Sequence, residues 1–201
     1  MNIRLAVHGD ASAIADIYRP IVLSTPISFE VEPPDEQEMA QRIEQRLWAF
    51  PWLVCESEGQ IVGYAYGSTH RPRAAYQWSV ETSVYVHSGF WRRGIGKGLY
   101  VSLLGILASQ GFFTAFAGIT LPNPGSVKLH ESVGFEPIGS FRDIGYKLGR
   151  WHDVGWWQLT LRPHIDPPGP AVTLDECRRL QEWNQMLAAG LDYIHEDSQA
   201  S

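Results

Sequence analysis

Cysteine is scarce in this chain: Cys55 and Cys177 are the two in 201 residues, far apart and in no metal-ligating pattern. The seven histidines are scattered without paired ligand spacing, so no catalytic metal is expected. No apolar run approaches the ~20 residues of a membrane span, and no secretory signal is recognised at the start, so no membrane association is expected and a reduced cytoplasm is the expected compartment. Positive charge is short as well. Sixteen Lys and Arg against 22 Asp and Glu leave a formal net charge of −6, which argues against general nucleic-acid binding. What is present is ordinary for a globular protein: 44% hydrophobic and 19% charged residues, enough for one domain with a sizeable core.

Residues 2–7 alternate, with Ile3, Leu5 and Val7 on one face, and predict a first strand. Asp10 is placed to cap a helix carrying Ile14, Ile17, Tyr18 and Ile21. An extended stretch over 24–34 holds Ser28-Phe29-Glu30, and Asp35 caps a second helix through Met39, Ile43 and Leu47. Residues 52–57 and 61–69 read as a hairpin around Glu58-Gly59, followed by a polar, aromatic loop over 70–77. Later come a buried strand over 112–119, a break at Leu121-Pro122-Asn123-Pro124, and a short helix through Val127, Leu129, His130 and Val133 that ends at Gly134. Two strands over 135–148 and 154–161, joined through 149–153, complete an α+β domain on one central sheet. Pro163, Pro167, Pro168 and Pro170 then stiffen a linker. Thr173 and Glu176 form a capping-box pattern, opening a helix whose apolar stripe is Leu180, Trp183, Leu187 and Leu191. That helix covers either its own domain or a partner subunit.

The centre of the chain is more specific. Residues 80–87 alternate as a strand, the turn Trp91-Arg92-Arg93-Gly94-Ile95-Gly96-Lys97-Gly98 is glycine-rich and basic, and Leu99, Leu103, Ile106 and Leu107 follow at helical spacing. Strand, glycine turn and helix aim free N–H groups and a positive helix end at an anion. A Walker loop fails, because Trp91 stands where its first glycine belongs and Gly98 where its hydroxyl belongs; a dinucleotide loop fails because Leu99 replaces its third glycine.

Gly94-Ile95-Gly96 after such a strand resembles the Arg/Gln-x-x-Gly-x-Gly/Ala motif of the GNAT acetyltransferase superfamily, which cradles the pyrophosphate of acetyl-CoA, although Trp91 takes the place of the usual Arg or Gln. Residues 123–135, ending in Gly-Phe, resemble the superfamily's second motif. Residues 80–86 and 145–159 resemble the narrower phosphinothricin acetyltransferase family, which includes acetyltransferases of methionine sulfoximine and methionine sulfone. The resemblance spans about residues 2–162 and implies a mixed, mostly antiparallel sheet flanked by helices, with acetyl-CoA as co-substrate. With the proline linker and the capping box beyond it, the chain divides into an acetyltransferase domain over 1–162, a linker over 163–172 and a helical extension over 173–201. Family members are commonly dimers, so a homodimer is expected.

Acetyl transfer to an amine needs a base, an oxyanion donor, alignment of the reactants and compensation of the departing thiolate. The resemblance implies Glu81 as the base, acting directly or through a water; a glutamate on the solvent face of the strand or in a structural ion pair is the alternative. It implies Val84, Tyr85 and Val86 as backbone partners of the pantetheine arm. Arg92, Arg93, Gly94, Ile95, Gly96, Lys97 and Gly98 are the expected diphosphate contacts. Asn123, with Ser126 beside it, is read either as a cofactor contact or as a helix-start residue. His130 stands where many relatives carry a thiolate-protonating tyrosine; a packed or capping histidine is the alternative. Phe29, Arg71, Ala75, Tyr76, Tyr85, Tyr146 and His152 are the expected acceptor pocket, with an arginine suited to a substrate carboxylate. No cysteine lies there, which favours direct attack over an acyl-enzyme. The expected reaction is N-acetylation of the α-amine of phosphinothricin, methionine sulfoximine or methionine sulfone. Another amine (a polyamine, an aminoglycoside, a protein N-terminus) or a non-catalytic acyl-CoA-binding role are the alternatives.

Overall fold

The computed structural model describes residues 1–195. Seven strands form one sheet: β1 (Asn2–Leu5), β2 (Trp52–Ser57), β3 (Gln60–Thr69), β4 (Ser79–Val86), β5 (Thr114–Leu121), β6 (Glu136–Lys147) and β7 (Arg150–Thr160). Their order is β1-β2-β3-β4-β5-β7-β6. Every neighbouring pair is antiparallel except β4–β5. The helices α1 (Ala11–Ser24) and α2 (Glu36–Leu47) cover one face, and α3 (Ile95–Gln110) covers the other. A shorter α4 (Pro124–Ser132) follows β5.

Alternation along β2 shows how the sheet separates two cores. Trp52 and Val54 pack with Ile14, Tyr18, Met39 and Ile43 from α1 and α2, whereas Leu53 and Cys55 pack with the α3 residues Leu99, Leu103 and Leu107. Those α3 leucines are fully buried, and each contributes about 1.5–3 kcal/mol relative to exposure.

The element boundaries differ from the sequence expectation where capping and turns decide them. Asp10 precedes α1 but makes no cap bond; its carboxylate instead accepts from Arg4 Nη1 and Nη2 at 2.7 and 2.8 Å and from the Val7 N–H at 2.8 Å. Asp35 does cap α2, accepting from the Glu38 N–H at 2.8 Å. Helix α3 begins at Ile95, so Gly96, Lys97 and Gly98 belong to its first turn rather than to a loop. The last two strands meet at Leu148-Gly149, both at positive φ, and not across 149–153; Trp151, His152 and Asp153 are strand residues. A two-residue turn with both φ values positive matches the twist of the flanking strands.

The expected single helix of the extension is two: α5 (Leu174–Cys177), opened by the Thr173–Glu176 capping box, and α6 (Trp183–Ala188). Both pack on the domain itself. Leu174 and Cys177 are buried in the α3-side core, and Trp183, Met186, Leu187, Leu191 and Ile194 pack against it. Residues 196–201 of the expected extension lie outside the described residues.

Candidate active site

The site is organised by a gap in the sheet. Strands β4 and β5 pair at Ser79–Thr114, Val80–Ala115 and Glu81–Phe116, and no further. Beyond Glu81, β4 runs on to Val86 with only β3 beside it. The His87 N–H donates to the Val62 carbonyl at 2.9 Å. Ladder alternation from that bond directs the peptide groups of Tyr85 to β3 and those of Val84 and Val86 into the gap. The expected trio of backbone partners is therefore a pair. One member is already engaged: the Trp91 indole Nε1 donates to the Val86 carbonyl at 2.9 Å.

Glu81 stands where the pairing stops. Its side chain is 34% exposed, so water or an amine can reach it, and Oε1 lies 2.9 Å from His70 Nδ1. The His70 ring is clamped by stacking on Phe116 at 4.3 Å, with Trp156 and Tyr76 edge-on at 6.1 and 6.0 Å. Sequence reasoning passed over His70. The β3–β4 register, Ser68 opposite Glu81, carries the chain end of β3 back beside the carboxylate. Trp156 was missed too; its Nε1 is buried without a hydrogen-bond partner.

The acceptor candidates divide by strand alternation. Phe29 lies over Gly145, where a Cβ would come within 2.2 Å of its ring, and 6.3 Å from the His152 ring. Buried Lys147 reaches under the same segment, donating from Nζ to the Ser28 carbonyl at 2.6 Å. Tyr146, between Gly145 and Lys147, points to the opposite face, where its ring meets Trp151 at 5.4 Å. It is 60% exposed there and does not join Phe29. Tyr85 packs edge-on against Tyr18 at 5.1 Å and beside Tyr64 at 5.2 Å. Tyr76 approaches His70, while Arg71 and Ala75 stand exposed in the same loop.

His130 is buried between α3 and α4 with both ring nitrogens occupied. Nδ1 lies 2.8 Å from the Ser126 carbonyl and 3.3 Å from Ser126 Oγ, and Nε2 lies 2.8 Å from the Tyr100 hydroxyl. A carbonyl only accepts, so Nδ1 carries the proton and Nε2 accepts from Tyr100. Burial pulls the imidazole pKa down, partly offset by the Ser126 backbone bond. Burial likewise raises that of Tyr100. These partners fit the packed-histidine reading. Asn123 caps α4 by accepting from the Ser126 N–H at 3.1 Å, which is its helix-start reading.

At the glycine turn, Arg92 and Gly94 both hold positive φ, 64° and 78°. The first N–H groups of α3 have no acceptor within the helix and are free for an anion. A Cβ on Gly96 would come 3.0 Å from Leu129 and 3.7 Å from Val86, so glycine keeps open the passage between α3, α4 and β4. Arg93 folds back over the Phe90 ring at 4.6 Å, and Lys97 Nζ lies 4.6 Å from the Tyr193 ring. A gap lined by peptide groups, leading to a helix start, fits an acyl-pantetheine with a diphosphate.

The family model for the acetyltransferase (GNAT) domain matches residues 3–156. The chain is a GNAT acetyltransferase. It is 42% identical over 158 residues to the phosphinothricin N-acetyltransferase of Streptomyces viridochromogenes, covering 79% of this chain and 86% of that one. It is 34% identical over 168 residues to the L-methionine sulfoximine/L-methionine sulfone acetyltransferase of Salmonella typhimurium, covering 83% and 98%. Among solved structures, the phosphinothricin acetyltransferase of Sinorhizobium meliloti in complex with acetyl-CoA superposes with a TM-score of 0.78 at 35% identity, over 86% of this chain and 97% of that one. Acetyl-CoA is the acetyl donor of this GNAT enzyme. Among the described residues no cluster of His, Cys, Asp and Glu is arranged to hold a metal ion, and no helix is long and apolar enough to cross a membrane.

Proposed function

We propose that this enzyme N-acetylates the α-amine of a small amino-acid analogue of the phosphinothricin, methionine sulfoximine or methionine sulfone type, by direct attack in a ternary complex. The observation that carries the reading is Glu81, reachable from solvent at the end of the β4–β5 pairing and held by His70. Bound acetyl-CoA supplies an activated acyl group. The chain's own residues serve the amine, the oxyanion and the diphosphate, and the nitrogen's second proton leaves with the departing thiolate as the CoA thiol. Glu81 takes the proton from the ammonium, directly or through a water. The Val84 N–H turns into the gap, where a thioester oxygen gains charge. The Arg92–Gly98 turn and the first N–H groups of α3 receive the diphosphate, with Arg92 for charge. Phe29, His152, Tyr76, Arg71 and Trp156 bound the amine side, on the sheet face shared by Glu81 and Tyr85.

A homodimer and a cytoplasmic site of action belong to the same reading. The β6–β7 hairpin exposes Ile138, Phe141, Ile144, Tyr146, Leu148 and Trp151 together, an apolar surface that a second copy would cover. Both cysteines are free and buried, as a reducing compartment allows.

Mass spectrometry of the products from acetyl-CoA and a panel of amines tests the proposal. Acetylated amino-acid analogues are expected, with Glu81→Gln lowering turnover about 10²–10⁴-fold and sparing acetyl-CoA affinity. Turnover confined to polyamines, aminoglycosides or peptide N-termini would reject the substrate class. Equal losses in turnover and cofactor affinity would reject the base.

A further inference from the structure

The most closely packed surface of the glycine turn faces a segment outside the family-matched region. Gly94, Gly98 and Ser102 are spaced by four residues and line one side of α3. A Cβ on Gly94 would sit 1.8 Å from the Tyr193 carbonyl oxygen, and one on Gly98 2.6 Å from that of Gly190. The approach is reciprocal, since a Cβ on Gly190 would sit 1.9 Å from the Gly98 carbonyl oxygen. Ser102 Oγ donates to the Leu187 carbonyl at 2.8 Å and accepts from the Gly190 N–H at 3.1 Å. The His195 N–H then donates to the Arg93 carbonyl at 2.9 Å. Tyr193 places its ring against Lys97 Nζ.

These bonds and contacts act on the backbone of the turn itself. Arg93 and Gly94 are held on one side by residues 193–195, and Gly98 by Gly190. The free N–H groups of the helix start lie between those anchors, and their direction follows the φ/ψ values of Arg92 and Gly94; Arg92, a non-glycine residue at φ 64°, sits in sparsely populated territory. A sparsely populated backbone persists when surrounding structure over-determines it.

We propose that residues 187–195 are a positioning element for acetyl-CoA. They clamp the turn over 93–98 in the shape that aims the first N–H groups of α3 at the diphosphate. The proposal rests on the diphosphate reading of that turn. It gives Gly94 a second reason to be glycine and Gly98 a first: both let the extension touch α3 backbone to backbone.

The test compares two thioesters in the full-length enzyme, acetyl-CoA and S-acetyl-pantetheine, which lacks the diphosphate. Gly190→Ala keeps an ordinary backbone conformation, φ −77°, but forces the segment off Gly98. It should raise KM for acetyl-CoA about tenfold, as expected of a binding group displaced by a fraction of an ångström. Its kcat/KM for S-acetyl-pantetheine should stay within about twofold of wild type. Ser102→Ala, which removes the two Oγ bonds without a clash, should shift acetyl-CoA KM the same way by a smaller factor, and serves if Gly190→Ala does not fold. An unchanged acetyl-CoA KM, or equal losses with both thioesters at an intact circular dichroism spectrum, would overturn the proposal. If wild type itself failed to prefer acetyl-CoA over S-acetyl-pantetheine, the diphosphate reading would fall first.

Discussion

Replacing His70 by phenylalanine removes one hydrogen bond and little else. The phenyl ring keeps the stack on Phe116 and the edge contacts with Trp156 and Tyr76, so the volume at this position is preserved. What disappears is the 2.9 Å bond to Glu81 Oε1. A hydrogen bond to a charged group contributes about 1.5–3 kcal/mol, a neutral one about 0.5–1.5. Glu81 is 34% exposed, so water replaces part of the interaction and the loss falls at about 1 kcal/mol, or roughly fivefold in turnover. Acetyl-CoA KM should not move, because His70 lies on the amine side. The assay is continuous thiol release with a chromogenic disulfide; Cys55 and Cys177 are fully buried and stay silent in it. The decisive measurement is the double variant. If His70 acts only by orienting Glu81, His70→Phe adds nothing to Glu81→Gln. Additive losses, or a single-variant loss as large as that of Glu81→Gln, would show that His70 takes part in the chemistry directly and refute the reasoning.

Phe29→Ala should raise KM for the amine several-fold while leaving acetyl-CoA KM unchanged, since Phe29 seats on the Gly145–His152 pair of the hairpin; initial-rate kinetics with each substrate varied checks this. Leu103→Ala opens a cavity in the fully buried α3-side core and should cost about 2–5 kcal/mol in urea denaturation. His130 makes stability pH-dependent. Its folded pKa lies below the ordinary 6.5, so the unfolded chain binds the extra proton first. Its contribution is complete above the unfolded value and is lost as pH falls through 6.5 toward the folded value. Urea midpoints from pH 8 to 5 should therefore fall more steeply for wild type than for His130→Gln; parallel curves would contradict the buried neutral imidazole.

The regular elements were largely legible because they follow local rules. The apolar spacing of α1, α2 and α3, the hairpin turn at Glu58-Gly59 and the Asp35 cap are written within a few residues of where they act. The errors came where a distant partner decided the outcome. Asp10 holds a cap's position, but Arg4 takes its carboxylate. Tyr146 was one residue out of phase with the pocket, a matter of hairpin register that composition does not carry. His70 is eleven positions from Glu81, and only strand pairing brings the two rows together. Lys147, buried against the Ser28 carbonyl, joins segments 119 residues apart. The break between α5 and α6 is a further case: the stripe through Leu180 predicted continuity, yet Leu180 is exposed and the chain bends there to lay α6 against α3.

The seam between β4 and β5, three residue pairs long, places opposing demands on one feature. Mechanically the protein is two plates joined along a narrow strip. A longer strip would stiffen the joint, but each added pair would fill the slot proposed to receive the thioester and its amine. Behind the β1–β4 plate, Leu99, Leu103 and Leu107 of α3 form a fully buried backing, with Leu99 beside Gly63 and Leu107 beside Gly67 of β3. An engineer seeking a hardier variant should thicken that backing and leave the slot alone.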